Sequence, residues 1–201
     1  MHGNIHVPIS GSVSRFVLYS ALAFALVLAF SAVAPAQDDY RVTYFDNNGA
    51  PGAPDATIHV LNPGNGAVCA TIYVWRNDQE LSECCSCPIS NNGLLTLSVA
   101  ALTNNPGDHT PGATSGSIAI VADTNPACDP TAPTPGPDLR VWATHVNVDT
   151  GASGGFDVTE TEAPDTPFSS GEQTEATGRC GFIRINGSGV GRCDKACPAI
   201  E

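Results

Sequence analysis

The sequence predicts an all-β fold: an antiparallel β-sandwich, broadly immunoglobulin-like and stapled by disulfides, with a small β-barrel as the alternative. Three observations support this prediction. Short stretches rich in valine, isoleucine, threonine and aromatic residues recur along the chain. Asn-Gly pairs, the strongest short hairpin signal, occur at 48–49, 65–66, 92–93 and 186–187. An even number of cysteines, eight, follows a segment with the pattern of an export signal.

The first 36 residues are interpreted as a cleaved secretory signal peptide. Arg15 precedes an apolar run at 16–30, and the small-x-small sequence Ala34-Pro35-Ala36 follows it; signal peptides have this order of charge, apolar region and cleavage site. A membrane anchor is the competing interpretation, but spans usually need about 20 apolar residues. The mature chain is expected to begin at Gln37 and to be secreted, either extracellular or in the periplasm and cell envelope.

The expected mature chain is strongly acidic. It carries all 20 Asp and Glu residues of the sequence but seven of the eight Lys and Arg residues, which gives a net charge of −13 (7 minus 20). Such a surface repels nucleic acid and anionic membranes, so neither is expected as a partner after signal cleavage. Solubility accounts for the charge, and attraction of cations is the more specific interpretation.

The predicted strands divide between two segments of the mature chain. One strand, 40–46, lies in an N-terminal segment that ends in a Gly/Pro linker (37–56), and the others lie in a single β domain (57–201). The sequence 62–66 is expected to form a hairpin turn, and helix is considered only for 169–177. The strands predicted in the β domain are 57–61, 67–75, 93–100, 117–123, 139–148 and 180–185, and 156–162 also has strand character.

The cysteines are interpreted as a disulfide framework, with a metal site and reactive thiols as the alternatives. The spacing of Cys84, Cys85 and Cys87, followed by no cysteine until Cys128, does not match paired zinc ligands. In an extended segment, alternation sends Cys84 to one face and the other two to the opposite face, so bonds to distant partners are expected. Cys128 is expected to staple the proline-rich connection 125–138 to the body. Pairing is left open for Cys69, Cys84, Cys85, Cys87, Cys128 and Cys197.

One disulfide is predicted specifically, between Cys180 and Cys193. If Asn186-Gly187 is a two-residue turn between antiparallel strands, counting outward places Cys180 opposite Cys193. The pair then falls at a non-hydrogen-bonded position, where the Cα atoms of the two strands are close. That separation suits a disulfide.

No catalytic residue, cofactor site or metal site is predicted. The sequence 151–155 matches Gly-x-Ser-x-Gly, but that motif needs a strand before it and a helix after it, so a glycine-rich turn is preferred. Nothing in the histidine spacing brings together His59, His109 and His145. A group of oxygen ligands around a glycine turn lacks the closing glutamate of a calcium loop: Asp46, Asn48 and Asp55.

Two further groups are considered as sites. Glu160 and Glu162 fall on one face of a predicted strand, where paired carboxylates could perform glycoside chemistry, although a solvated face is the simpler interpretation. Trp75, Trp142 and Tyr73 could form a sugar-stacking platform, but the hydrophobic strands around the tryptophans favour the core instead.

Four stretches of the chain carry a resemblance to known sequences: CATIYVWRNDQELSECCSCPISNNGLLTLSV, LRVWATHV, VTETE and CGFIRINGSGVGRC. They resemble a group of secreted, cysteine-rich proteins of acidobacterial type, and the resemblance covers most of 57–193. Because no activity is established for that group, the resemblance implies an exported, cysteine-rich β domain and no particular chemistry.

The sequence therefore favours a secreted or cell-envelope protein with a non-catalytic, structural or interaction role and no cofactor. Self-association is one expected mode, because the strand-like segment 38–46 could add to a neighbour's sheet; an extracellular protein or a glycan is the other expected partner. The alternatives are a small secreted hydrolase and a cation- or carbohydrate-binding module. A pocket that gathers Glu160, Glu162 and a histidine would favour the hydrolase, and an exposed tryptophan platform would favour sugar binding.

Overall fold

The structure is a computed structural model that describes residues 40–46, 52–103, 115–136, 139–149, 155–186 and 197. The chain divides into two compact units, 1–35 and 36–201, and every described residue belongs to the second. The expected signal peptide lies outside the described residues. Within the described ranges, no helix combines the length and the apolar character that crossing a membrane requires.

Two antiparallel sheets form the body of the domain. Sheet A has five strands in the order β4-β3-β6-β1-β9, and sheet B has four in the order β5-β2-β7-β8. The elements, in chain order, are β1 Tyr40–Asp46, β2 Thr57–Leu61, β3 Val68–Arg76, β4 Leu81–Ile89, β5 Leu94–Ser98, α1 Val99–Thr103, β6 Ser115–Asp123, β7 Arg140–Asp149, β8 Gly155–Glu162, β9 Asp165–Thr166 and α2 Ser170–Asn186.

The inner faces of the two sheets share one hydrophobic core. Along β3 and β6, every second residue points inward, and Ile72, Ile118 and Ile120 are fully buried there. Sheet B contributes residues such as Val60 and Leu97 to the same core. This packing confirms the predicted antiparallel sandwich, and the described strands do not close into a barrel.

The outer face of sheet A forms a second core with helix α2. Tyr73 and Val121 point outward from β3 and β6 and contact a stripe of three helical residues. That stripe is Ala176, Cys180 and Ile183, whose spacing of four and three residues places them on one side of a helix. The domain thus has three layers: sheet B, sheet A and helix α2.

Helix α2 corrects the prediction of a strand at 180–185. The helix begins at a capping box: the Ser169 amide donates to the Glu172 carboxylate at 2.9 Å, and the Glu172 amide donates to Ser169 Oγ at 3.2 Å. From there the helix continues through 180–185 to Asn186. In a strand Phe182 would share a buried face with Cys180, but it is 66% exposed. The buried side chains of this segment follow the helical period, because they pack against the apolar outer face of sheet A.

The sequence 62–66 also differs from its prediction. The predicted hairpin is wrong, since β2 belongs to sheet B and β3 to sheet A. The fully buried Asn62 explains the change of sheet: its side-chain amide donates to the carbonyls of Gly66 at 2.7 Å and Ser90 at 3.1 Å. These bonds fix the connection against the end of β4, a strand that the sequence-based strand prediction did not include.

Candidate functional site

Disulfides fasten three parts of the domain to sheet A. Cys69–Cys128 holds the proline-rich connection, as predicted, while Cys84–Cys180 holds helix α2 and Cys87–Cys197 holds residue 197. Cys85 is disulfide-bonded as well. Such bonds indicate that the domain folds in an oxidising, non-cytoplasmic location.

The predicted pairing of Cys180 with Cys193 is wrong. Cys180 is bonded to Cys84, with a Cα–Cα distance of 5.7 Å, and Cys193 lies outside the described residues. The prediction failed because it required a hairpin where the chain is helical. The predicted alternation is confirmed: Cys84 lies in the outer core beneath α2, whereas Cys85 and Cys87 lie in the core between the sheets.

An open cleft lies between helix α2 and the outer face of sheet A. Its volume is about 490 Å³, within the range of roughly 300–1,000 Å³ that small-molecule sites occupy. Small side chains leave this space: Gly171 and Ala176 on the helix, and Ser117 on β6. The floor comes from β1, β3 and β6, and one wall comes from the first half of α2.

Three aromatic residues form the floor of the cleft: Tyr40, Tyr73 and Trp75. Tyr40 stacks on Phe168 with ring centroids 4.6 Å apart, and Tyr73 donates its hydroxyl hydrogen to the Pro130 carbonyl at 2.8 Å. Burial, and secondarily the charge of Glu172, raise the pKa of Tyr40 to about 12. Burial likewise raises the pKa of Tyr73, assisted by the carboxylates of Asp123 and Asp129. Both phenols therefore stay neutral. Tyr73 is fully buried, so the aromatic surface open to the cleft comes from Tyr40 and Trp75, which are half-buried.

Three charged residues lie along the helix wall: Glu172, Glu175 and Arg179. Glu172 closes the capping box at the start of α2. Glu175 forms an ion pair with Arg179 one helical turn later, at side chains that are 56% and 48% exposed. The Arg179 guanidinium carbon also lies 5.7 Å from the Trp75 ring centroid, within cation–π distance. The helix wall therefore contacts the aromatic floor through the Arg179 guanidinium, which lies over the Trp75 ring.

The outer face of sheet B holds several residues that the sequence singled out. Glu160 and Glu162 share this face and are exposed, as the alternation predicted. Register places Thr96, His59, Trp142 and Glu162 in one row across four strands. His59 is hydrogen-bonded through Nδ1 to Thr96 Oγ1 at 3.0 Å. Trp142 lies on this face and is half-buried, so the prediction of a core position is wrong for this residue. Trp75, on sheet A, is also half-buried and packs against the outer core.

The two candidate histidines that the structure describes, His59 and His145, do not converge. His59 and Trp142 are register partners on the outer face of sheet B, and the three-residue step along β7 from Trp142 to His145 reverses the face. His145 is 4% exposed and lies 2.7 Å from Thr161 Oγ1 through Nε2. Burial lowers its pKa. His109 lies outside the described residues.

The remaining residues that the sequence singled out either form contacts within the protein or lie outside the described ranges. Asp55 accepts hydrogen bonds from Ser98 Oγ and, at 2.9 Å, from the Ala100 amide at the start of α1. Asn48 and the segment 151–154 lie outside those ranges. Among the residues that the structure describes, no three His, Cys, Asp or Glu side chains are grouped as a metal site would require.

The cleft was not predicted from the sequence. Its parts come from segments that lie far apart, and only two local signals point to its helix wall. One is the Ser169-x-x-Glu172 capping box, and the other is the helical spacing of Ala176, Cys180 and Ile183.

Comparisons with known proteins give little guidance. No family model and no curated protein matches this sequence. A solved structure that is similar is described as the crystal structure of Thermotoga maritima 1070. It has 13% identity and a TM-score of 0.42, covering 68% of this chain and 100% of that chain. A likeness of this size carries no argument about function.

Proposed function

We propose that the protein is a secreted, non-catalytic binding domain that acts outside the cell or in the envelope. Its binding site is the cleft between α2 and sheet A. The observation that carries this proposal is an open cleft of about 490 Å³ that combines an aromatic floor with charged groups on one wall. Ligand sites typically combine apolar surface with a few placed polar groups.

Binding fits the cleft better than catalysis does. The Glu172 carboxylate is used in helix capping, and the Glu175 carboxylate is paired with Arg179. Tyr73 is committed to the Pro130 carbonyl. These contacts engage the side chains within the protein, and a catalytic role would instead need a nucleophile beside a base.

The Cys84–Cys180 bond supports a preformed site. It joins β4, next to the cleft floor, to α2, which forms the wall. A wall held covalently keeps its position without ligand, which lowers the entropy cost of binding. The apolar run at 16–30 and the resemblance to secreted acidobacterial proteins support export.

Carbohydrate binding on the outer face of sheet B is a second candidate. Trp142 lies between His59 and Glu162 in one row of that face. An aromatic ring flanked by hydrogen-bonding groups suits a sugar ring. A hydrolase using Glu160 and Glu162 is less favoured, because neither lines the cleft.

Self-association through the first strand is less supported than ligand binding. The structure pairs β1 with β6 of the same chain over all seven residues of β1. Exchange of segment 38–46 between copies would require this whole ladder to be broken and formed again between chains.

A ligand screen with two tryptophan variants tests the proposal. The mature protein, Trp75→Leu and Trp142→Leu are heated with a library of sugars, amines, amino acids and short peptides. Ligands that raise the melting temperature of the mature protein and of Trp142→Leu, but not of Trp75→Leu, support the cleft. A ligand-induced rise in melting temperature that is lost only in Trp142→Leu supports the outer face of sheet B as the site instead. Turnover of a glycoside substrate that Glu160→Gln abolishes would show hydrolysis in place of binding.

A further inference from the structure

We infer that the cleft selects an organic cation, a guanidinium or an ammonium group, and that Arg179 occupies the cation position as a resident competitor. This inference rests on the proposed function, because it names the ligand class of the same cleft. The protein's own side chain identifies what the position accepts: a planar cation that contacts an aromatic ring and a carboxylate.

The cation position is defined by two contacts of Arg179. Its guanidinium carbon lies 5.7 Å from the Trp75 ring centroid, and its Nε donates to Glu175 Oε1. The ring offers its negative face and the carboxylate offers a full charge, so both contacts favour a cation and neither favours an anion.

The charges around this position select against other ligand classes. Among the described residues that line the cleft, Arg179 is the basic one, whereas Glu172 and Glu175 are both acidic. When the Arg179 side chain turns away, two carboxylates remain beside Tyr40 and Trp75. The net charge of −13 on the expected mature chain (7 minus 20) adds a long-range attraction for cations.

Arg179 is held loosely enough to be replaced. Both members of its ion pair are about half exposed, where such pairs are weak because water screens them. A ligand cation that displaces Arg179 substitutes one guanidinium or ammonium for another, and the released arginine returns to solvent. Removing Arg179 therefore frees a position already suited to the ligand.

Fluorescence of Trp75 gives a direct test in the oxidised mature protein with Trp142→Phe. The probes are N-acetyl-arginine amide, its neutral counterpart N-acetyl-glutamine amide, and N-acetylglucosamine, at constant ionic strength. The arginine probe alone is expected to change Trp75 fluorescence saturably. Arg179→Gln is expected to tighten its binding about fivefold, the worth of a weak ion pair and cation–π contact.

Arg184→Gln is the matched control. This substitution removes the same charge from the same helix, but Arg184 contacts Asp129 and does not line the cleft. The affinity of this variant for the arginine probe should therefore differ from that of the unsubstituted protein by less than about twofold. Equal tightening in both variants would show general electrostatics and overturn the inference. Calorimetric titration of the protein with both tryptophans gives the same comparison if Trp142→Phe does not fold.

The outcomes separate this inference from the proposed function. A saturable response to the sugar and none to the arginine probe overturns the cation inference and retains the cleft as a binding site. The absence of a response to every probe in Arg179→Gln also overturns the inference. Whether the cleft binds any ligand is decided independently by the ligand screen with Trp75→Leu.

Discussion

Glu83→Gln is expected to remove most of the dependence of stability on pH between 4.5 and 8. Glu83 lies on β4 opposite Val74, on the inner face of sheet A, and is 3% exposed. Its Oε2 atom is buried and has no hydrogen-bond partner among the residues that the structure describes. Burial raises the pKa of the carboxyl from its usual 4.5 to about 8, because the charged form loses its hydration.

The sign and the size of the effect follow from linkage. The folded state holds the Glu83 proton more tightly than the unfolded state, so the favourable contribution is complete below pH 4.5. This contribution to the free energy of unfolding decreases as pH rises to about 8, and the free energy does not change further through Glu83 above that value. At ~1.4 kcal/mol per pH unit, the loss amounts to about 5 kcal/mol. That is a large share of the roughly 5–15 kcal/mol of a typical domain.

Denaturant unfolding at pH 5, 7 and 9 without reductant measures this effect. Glutamine keeps the size of the side chain and removes its charge, so the variant should come within about 1 kcal/mol of the wild type at pH 5 and exceed its stability at pH 9 by several kcal/mol. Glu80→Gln is the control, since Glu80 is exposed just before β4. Parallel pH profiles for the wild type and Glu83→Gln would refute the assignment of a neutral, buried carboxyl.

The remaining predictions concern the helix, the disulfides and export. Replacing Cys84 and Cys180 by serine should destabilise the domain by about 2–4 kcal/mol and weaken cleft ligands, because α2 loses its anchor; an unchanged melting temperature would contradict this. Ser169→Ala should cost about 1 kcal/mol through the lost cap, measured by thermal unfolding against Ser170→Ala. Peptide mapping without reduction should find Cys84 linked to Cys180, and a Cys180–Cys193 peptide would contradict the structure. N-terminal sequencing of the exported protein should begin at Gln37; retention of 16–30 would replace secretion with anchoring.

The strands were predictable where local pattern and tertiary environment agree. β1 and β2 have the bounds that their alternating β-branched and aromatic residues predict. Alternation also placed Cys84 on the face opposite Cys85 and Cys87, and that prediction is confirmed. These features depend on neighbouring residues alone.

Helix α2 and the cleft were not predictable in the same way. Gly178, Gly181 and the β-branched Ile183 and Ile185 weaken helix formation, so the segment reads locally as a strand. Its helical state depends on the capping box, the apolar outer face of sheet A and the bond to Cys84, 96 residues away. The cleft in turn requires α2 in place over β1, β3 and β6, and no local pattern encodes that arrangement.

Ligand is expected to bind between α2 and the outer face of sheet A. The two tryptophans lie on different sheets, Trp75 in the cleft and Trp142 on the outer face of sheet B, so their indole N–H signals report the two candidate sites separately. Titration of the ¹⁵N-labelled mature protein with N-acetyl-arginine amide should shift the Trp75 signal progressively to saturation and leave the Trp142 signal in place. A shift of the Trp142 signal alone, with Trp75 unmoved, would contradict the claim.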